Sequence, residues 1–221
     1  MTPTDVIAEV RRLVQDTVAP YRYSDTDLLG YVNQTLKRMA LLRPDLFGVI
    51  ADVSTTAGSA VQTLPSDAIR LMDVFSVKGV GAVTETDRET MDRNYPAWAV
   101  EAAGTPVNYM RHVKNPTRFF LYPPPAAGVQ LTVEYAKAPP NYGLGETIAI
   151  LSDAFLPTIV NGAVYLAQSI DDEHVSSGRA KLFLDAFTQD LAGTFSSRTV
   201  TDTKAAGLKP SRATLVTGEV I

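Results

Sequence analysis

The chain has 221 residues, of which 45% are hydrophobic and 20% charged, as expected for a globular protein with one large domain or two small ones. The formal net charge of −4 argues against a wide surface that grips a nucleic-acid backbone, because such a surface needs clustered lysines and arginines. The absence of cysteine excludes disulfides, zinc–thiolate sites, iron–sulfur clusters and a cysteine nucleophile.

The first residues, MTPTDVIAEVRRLVQD, are amphipathic and charged, unlike the apolar segment of a secretory signal. No apolar run approaches the roughly 20 residues that a membrane-spanning helix needs. We therefore expect no membrane partner, and a protein that is made and used in the cytoplasm or in a particle assembled there.

Residues 1–47 predict two helices. In the first helix we expect Thr4 to be the N-cap, with Asp5 in the first turn, where a carboxylate suits the helix dipole. The apolar residues of this helix recur at intervals of three and four, which places them on one helical face: Val6, Val10, Leu13 and Val14.

The second helix has clear boundary signals. Ser24 stands where an N-cap belongs, and Asp27 follows three residues later, as in a capping box. Asp25 and Asp27 could hold a metal or could start a helix. We interpret them as helix-start residues, because the free N–H groups of the first turn already bind carboxylates. Pro44 disfavours helical geometry at Arg43 and so predicts the end of this helix.

Residues 48–145 change character to short β-prone runs broken by glycine, proline, asparagine and aspartate. The last run alternates apolar Leu131 and Val133 with polar Gln130 and Thr132, which is typical of a half-buried antiparallel strand. The six candidate strands are Val49–Ser54, Ala60–Leu64, Ile69–Val77, Val107–Val113, Arg118–Tyr122 and Val129–Tyr135.

Three local features lie inside this β-rich zone. Thr86, with Glu89 three residues later, predicts a short capped helix that ends at Pro96. The GVG sequence at 79–81 follows a candidate strand but lacks the third glycine of a dinucleotide-binding loop, so it indicates a turn. We interpret Trp98 as a packing anchor rather than a platform on which bases stack.

Residues 146–196 return to helical spacing. Apolar residues recur helically from Ile148 to Ile170, and Pro157 predicts either a helix start just after it or a kink. After a break, the segment Ala180–Phe195 has a strong apolar face. The sequence therefore predicts an α+β fold, in which the N- and C-terminal helices form one bundle and residues 48–145 are an inserted antiparallel β domain, either a small sheet or a sandwich.

Residues 197–221 form a separate tail that is rich in serine and threonine. Its four basic and two acidic residues give it a net charge of +2. We expect an extended C-terminal arm that needs a partner to become ordered. The candidate partner-binding residues on this arm are Arg198, Lys204, Lys209, Arg212, Leu215, Val216, Val220 and Ile221.

We predict no catalytic, cofactor-binding or metal-ligating residue. The chain contains no Walker sequence, GxSxG elbow or HExxH motif. The run Asp171-Asp-Glu-His174 could be a metal cluster, but we interpret it as a solvated loop between helices. His112, with Tyr109, Arg111 and Lys114, could face a phosphate or an acidic partner, and we interpret this group as an ordinary strand surface.

Several segments, in the same order along residues 20–170, resemble the head-to-tail adaptor (connector) proteins of tailed bacteriophages. None of the segments is catalytic, and the resemblance depends on the ordered set. They are Asp27–Asn33 with Arg43–Phe47, Leu64–Asp73, Asp87–Asp92 with Pro96–Trp98, Gly104–Pro106 with Tyr109, and Phe119–Pro125 with Val133–Tyr135 and Pro139–Pro140.

The resemblance implies a virion structural protein at the head–tail interface. It implies a dodecameric ring of this chain that joins the portal protein to a downstream tail or nozzle protein. The ring lines a channel through which DNA passes without sequence-specific binding, and the C-terminal arm engages the portal or a neighbouring copy. It also implies a fold in which a helical bundle carries a β domain.

Two other functions remain open from the sequence. A tail-completion or tail-tube component would keep the phage context but occupy another position in the particle. An enzyme or ligand-binding domain without a recognisable motif would need a concave pocket with perturbed carboxylates, and the first candidates would be Asp171, Asp172, Glu173 and His174.

Overall fold

A computed structural model describes residues 1–169 and 177–206 of the protein, with the side chains of its last helix described over 178–193. The fold is mixed α+β, with helices and two sheets. The helices are α1 (Pro3–Val14), α2 (Asp25–Leu42), α3 (Arg88–Asn94), α4 (Leu156–Ala167) and α5 (Ser177–Ala206). The strands are β1 (Gly48–Ser54), β2 (Val61–Thr63), β3 (Ala68–Val77), β4 (Gly81–Ala82), β5 (Thr84–Glu85), β6 (Asn108–Arg111), β7 (Arg118–Tyr122) and β8 (Gln130–Lys137).

The start and end of α2 follow the sequence signals. The Ser24 hydroxyl accepts a hydrogen bond from the backbone N–H of Asp27, and the helix ends at Leu42, with Arg43 outside helical geometry before Pro44. This confirms that Asp27 belongs to a helix start. Asp25 pairs instead with a guanidinium group of α1.

The predicted caps of α1 and α3 are wrong by one or two positions. Thr2, not Thr4, caps α1 in a reciprocal box with Asp5, because Pro3 takes the first helical position, where its fixed φ and missing N–H cost nothing. Asp87, not Thr86, caps α3. Thr86 serves the sheet instead, since its hydroxyl accepts a hydrogen bond from Asn108.

Helix α4 begins at Leu156, so that Pro157 falls in its first turn. The predicted interruption at this proline is therefore confirmed. The helical spacing of apolar residues before it, from Ile148, does not correspond to a helix. Ile148 and Leu151 lie in irregular chain, and a single 3-10 turn over Asp153–Phe155 leads into the helix. Both residues are buried nevertheless, which explains why they recur with the apolar residues of a helix.

The β-rich zone folds into two four-stranded sheets. Sheet A has the strand order β1-β8-β3-β4, and sheet B has the order β2-β7-β6-β5, in which only β5 and β6 pair in parallel. All six candidate strands are present, within a few residues of their expected bounds. The two-residue strands β4 and β5 were not predicted, since each is defined by its partner strand rather than by its own sequence.

The two sheets pack face to face as a sandwich. Leu131 and Val133 of β8 are buried on its inner side, while the alternate residues Gln130, Thr132 and Glu134 are half-buried, which confirms the predicted alternation. The shared core draws on both sheets, with Leu71, Val74, Val77, Leu131, Val133 and Tyr135 from sheet A and Tyr109, Phe119 and Leu121 from sheet B.

Helix α3 covers the outer face of sheet B. Trp98 is 5% exposed and meets Phe120 edge-on, with ring centroids 5.6 Å apart, while its indole N–H donates to Asp92 at 2.8 Å. The prediction that Trp98 is a packing anchor is confirmed. The predicted turn at 79–81 is also confirmed, with Gly79 at a φ of 71°.

Helices α1, α2, α4 and α5 pack together in a helical layer, with α4 in contact with each of the other three. Helices α2 and α4 pack tightly at Gly162 of α4, where a Cβ atom would lie 2.4 Å from the Thr35 methyl group of α2. The helical backbone of α5 continues past residue 196 to Ala206. Over the described ranges, none of the helices has the length and apolarity needed to cross a membrane.

Candidate interaction cleft

An open cleft of about 390 Å³ lies where the helical layer meets the sandwich. Three segments that are distant in sequence form its walls: the C-terminal end of α2, the start of β3, and the turn between β6 and β7. Its lining residues are Leu41, Pro44, Ile69, Arg70, Leu71, Arg111, His112, Val113, Pro116 and Arg118. No carboxylate is among them.

The β6–β7 turn is held in place by its own polar side chains. The Nδ1 atom of His112 accepts the backbone N–H groups of Lys114 at 3.2 Å and Asn115 at 3.0 Å. The side-chain oxygen of Asn115 in turn accepts the backbone N–H of Thr117 at 3.0 Å. These bonds fix the turn and leave Val113 at its tip, 93% exposed.

One arginine in the wall of the cleft already has hydrogen-bond acceptors within the chain. Arg111 donates to Glu85 at 2.6 Å and to the carbonyl oxygen of Leu71 at 3.0 Å, so it bridges the two sheets. Next to it, the Tyr109 hydroxyl lies 2.7 Å from Asp73 and 3.0 Å from Glu85. Burial, together with the hydrogen bond to Asp73, raises the pKa of the Tyr109 phenol well above its usual value.

Two other arginines of the cleft differ from Arg111. Arg70 and Arg118 are both exposed, and neither forms an ion pair with a carboxylate of residues 1–169 or 178–193. Because Glu85 offsets Arg111, the cleft has a surplus of two positive charges. These guanidinium groups are available to a carboxylate or another anion, which they can bind in a two-pronged geometry.

The rim of the cleft is apolar. Leu41 is 70% exposed, and its neighbour Leu42 is 59% exposed, at the end of α2. Val113 faces the solvent on the other side. Large exposed apolar side chains beside unpaired cations are typical of protein interaction surfaces. Chemically, the cleft suits a segment that combines a carboxylate with apolar side chains.

The structure brings together part of the group that the sequence singled out around His112. Arg111 and His112 line the cleft, and the exposed Lys114 belongs to the same turn, whereas Tyr109 is buried inside the sandwich. Sequence reasoning missed Arg70 and Arg118. The sequence did carry a signal, since the segment 107–118 holds three lysine or arginine residues and no acidic residue.

The predicted arm lies largely beyond the described ranges. Arg198 and Lys204 fall on the last part of α5, where only the backbone is described. The remaining arm residues lie outside the described residues: Lys209, Arg212, Leu215, Val216, Val220 and Ile221. The run Asp171–His174 also lies outside them. Within the part of the chain that the structure describes, no group of three or more histidine or carboxylate side chains could hold a metal ion.

Comparison with known proteins gives a family match over nearly the whole chain. A family model described as SU10 adaptor protein matches residues 1–210. Among solved structures, a chain from "Neck of empty GTA particle computed with C6 symmetry" is 14% identical, with 85% of this chain and 91% of that chain covered and a TM-score of 0.29. A TM-score this low supports no argument about the fold. No curated protein matches the chain.

Proposed function

The chain belongs to the SU10 adaptor protein family, and we propose from this membership that its copies form a ring between the portal and the tail of a bacteriophage particle. The role of a head-to-tail adaptor is structural, which agrees with the resemblance seen in the sequence. The observation that carries the proposal is the family match over residues 1–210, since it includes both the helical layer and the sandwich.

The finer features of this role are also proposals. The ring contains twelve copies of the chain. In each copy, the helical layer corresponds to the bundle that the sequence predicts. One side of the ring binds the portal and the other binds a downstream tail or nozzle protein. DNA passes through the central channel without sequence-specific contacts, and the particle is assembled in the host cytoplasm. The net charge of −4 supports a channel that does not retain DNA.

The arm of residues 197–221 is the proposed contact with the portal. Its net charge of +2 and its β-prone last residues suit a partner that offers acidic groups and a strand edge. Ordering the part of the arm that follows α5, residues 207–221, costs conformational entropy, so we expect that part to become ordered only where binding offsets the cost. We therefore expect the isolated chain to be a monomer.

The test is mass photometry of the full chain, first alone and then mixed with the portal ring from the same genome. We expect a monomer alone and, in the mixture, a portal ring that gains a fixed number of copies matching its own symmetry. A chain that ignores the portal but binds the isolated tail would make it a tail-completion or tail-tube component. A chain that binds neither would contradict the adaptor role at this interface.

A truncation tests the arm separately. Removing residues 207–221 leaves every described element in place, so circular dichroism and Tm should match those of the full chain. We expect this variant to lose portal binding. Full binding by the truncated chain would remove the arm from the proposal and leave the adaptor role intact.

A further inference from the structure

We propose that the basic cleft binds the opposite end of sheet B of a neighbouring copy. This inference rests on the proposed ring and identifies the surfaces that join its subunits. We call the second surface the sheet-B tip and define it by Tyr95, Val100, Glu101 and Val107. All four residues are exposed, as are Arg70, Arg118 and Val113 of the cleft.

The two surfaces lie at opposite ends of the same pair of strands. In the antiparallel pairing of β6 with β7, Arg111 lies opposite Phe119 at the cleft end, and Asn108 lies opposite Tyr122 at the other end. The backbone N–H of Val107 donates to the carbonyl oxygen of Tyr122 at 2.8 Å, which places Val107 at the tip end. With a rise of about 3.3 Å per residue, the two ends are separated by roughly 10 Å along the strands.

The sheet-B tip has the chemistry that the cleft lacks. Val100 is 84% exposed, Tyr95 57% and Val107 51%. Glu101 is the only charged residue between 95 and 107. Interaction with the Glu101 carboxylate raises the pKa of the Tyr122 phenol, and the Tyr122 ring lies 6.0 Å from that of Tyr95. The tip therefore presents one carboxylate among exposed apolar side chains.

Charge and apolar character match between the two surfaces. Glu101 of one copy meets the unpaired guanidinium groups of Arg70 and Arg118 of the next, and Val100 and Val107 meet the apolar rim at Leu41 and Val113. The chain's own arm is a poorer occupant, because its net charge of +2 would be repelled by the cleft. A second copy is therefore the occupant that the charges favour.

A contact between two different surfaces has a consequence for assembly. Each copy offers a cleft to one neighbour and a tip to the other, so the contact is heterologous. Repetition of such a contact gives a closed ring or an open filament, whereas a contact of one surface with itself gives only a dimer. The two surfaces thus provide a geometric basis for the proposed ring.

The chain has no cysteine, so single engineered thiols can test this pairing directly. One preparation of the full-length protein has the substitution Val113→Cys at the cleft rim, and a second has Val100→Cys at the tip. Both positions are highly exposed, so folding should be preserved. The two proteins are mixed at high concentration, with and without the portal ring, and treated with a short bismaleimide.

We expect a cross-linked dimer when the two variants are mixed, and little cross-linked dimer from either variant alone. Cross-linking of each variant alone as strong as in the mixture would show that like surfaces meet and would overturn the heterologous contact. No cross-link in either condition would also overturn it. If the chain adds to the portal without this cross-link, this inference fails and the adaptor role stands. If the cross-link forms but the chain does not bind the portal, the contact between copies stands and the adaptor role fails.

A charge exchange sharpens the test. Arg70→Glu together with Arg118→Glu in the Val113→Cys protein should lower the cross-linked fraction by at least roughly two- to fivefold, the loss expected for one exposed ion pair. Glu101→Arg in the Val100→Cys protein should restore it. The matched control is Lys181→Glu, an exposed charge reversal on α5, which should leave the yield unchanged. Failure of the exchange to restore cross-linking would remove Glu101 from the contact.

Discussion

The helical layer and the sandwich each have an arginine at the centre of a polar network, and they hold it differently. In the helical layer, the Arg11 side chain is 10% exposed and donates to Asp16, Asp25 and the carbonyl oxygen of Tyr23. In the sandwich, the Arg111 side chain is 40% exposed and pairs with Glu85, which is itself half exposed. The first network is enclosed, and the second faces the cleft.

The comparison separates stability from recognition. Asp16 also accepts the backbone N–H groups of Arg22 and Tyr23, so the loop between α1 and α2 is folded around Arg11. Removing Arg11 would leave the buried carboxylate of Asp16 without a counter-charge. Removing Arg111 would leave Glu85 half exposed, where water can solvate its carboxylate. We infer that the Arg11 network contributes more to stability than the Arg111 network does and that the cleft wall can tolerate change.

The largest effect should come from Arg11→Ala. It leaves the carboxylate of Asp16, 8% exposed, without its charged partner, and should lower the free energy of unfolding by about 3 to 5 kcal/mol. Arg111→Ala should cost no more than about 1 kcal/mol, because its ion pair is exposed. Urea denaturation measures both. Equal losses would contradict the comparison, and Arg12→Ala, at an exposed pair with Glu9, is the control.

Packing inside the helical layer gives the next effect. Gly162→Ala forces a methyl group against Thr35 at the contact of α2 and α4 and should cost about 1 to 3 kcal/mol. Gly30→Ala is the matched control, since a Cβ atom there has no neighbour within 4 Å and the helix should gain about 0.5 to 1 kcal/mol. Thermal unfolding should show opposite shifts in Tm. Shifts of the same sign would show that the helices adjust freely at Gly162.

The sandwich should respond more weakly to Tyr109→Phe. The loss of the hydroxyl bonded to Asp73 should cost about 1 kcal/mol at neutral pH. Because burial and this bond raise the phenol's pKa, its contribution is fully present below its usual pKa of 10.0 and is lost as the pH rises beyond it. Urea denaturation at neutral and alkaline pH should therefore show a smaller difference between the two proteins at high pH. A constant difference would contradict this role for the phenol.

The smallest effect should be at the start of α1. Hydrogen bonds from the Thr2 backbone and then from its side chain hold the pKa of Asp5 below its usual value of 3.8. The stability that Asp5 contributes is therefore present above that value and is lost as the pH falls through the lowered pKa. Asp5→Asn should flatten the acid limb of a Tm-against-pH curve. Asp185→Asn, on the exposed face of α5, is the control, and an unchanged acid limb in Asp5→Asn would exclude the contribution.

The sequence predicted elements whose signals are local. The limits of α2 depend on Ser24 and Pro44, and the faces of β8 depend on strict alternation around Leu131 and Val133, so neighbouring residues were enough. The caps of α1 and α3 were missed because two nearby residues could both serve. Pro3 decided the first case, and the bond between Thr86 and Asn108 decided the second.

The candidate site depended much less on local pattern. The family resemblance came from short segments in order, and it pointed to an adaptor without locating a contact surface. The cleft joins residues as far apart as Leu41 and Arg118. No periodicity links such positions, since only the packing of α2 against the start of β3 and the β6–β7 turn brings them together.

The sequence by itself determined the α+β class, the principal helices and strands and the family, because these follow from local hydrogen bonding, apolar periodicity and the order of short segments. The tertiary structure decided which arginines are enclosed and which remain unpaired. The sequence alone does not show whether Arg11 or Arg70 is paired with a carboxylate. That depends on which carboxylates the fold brings within hydrogen-bonding distance. Charge pairing acts across space, so only the folded chain assigns it.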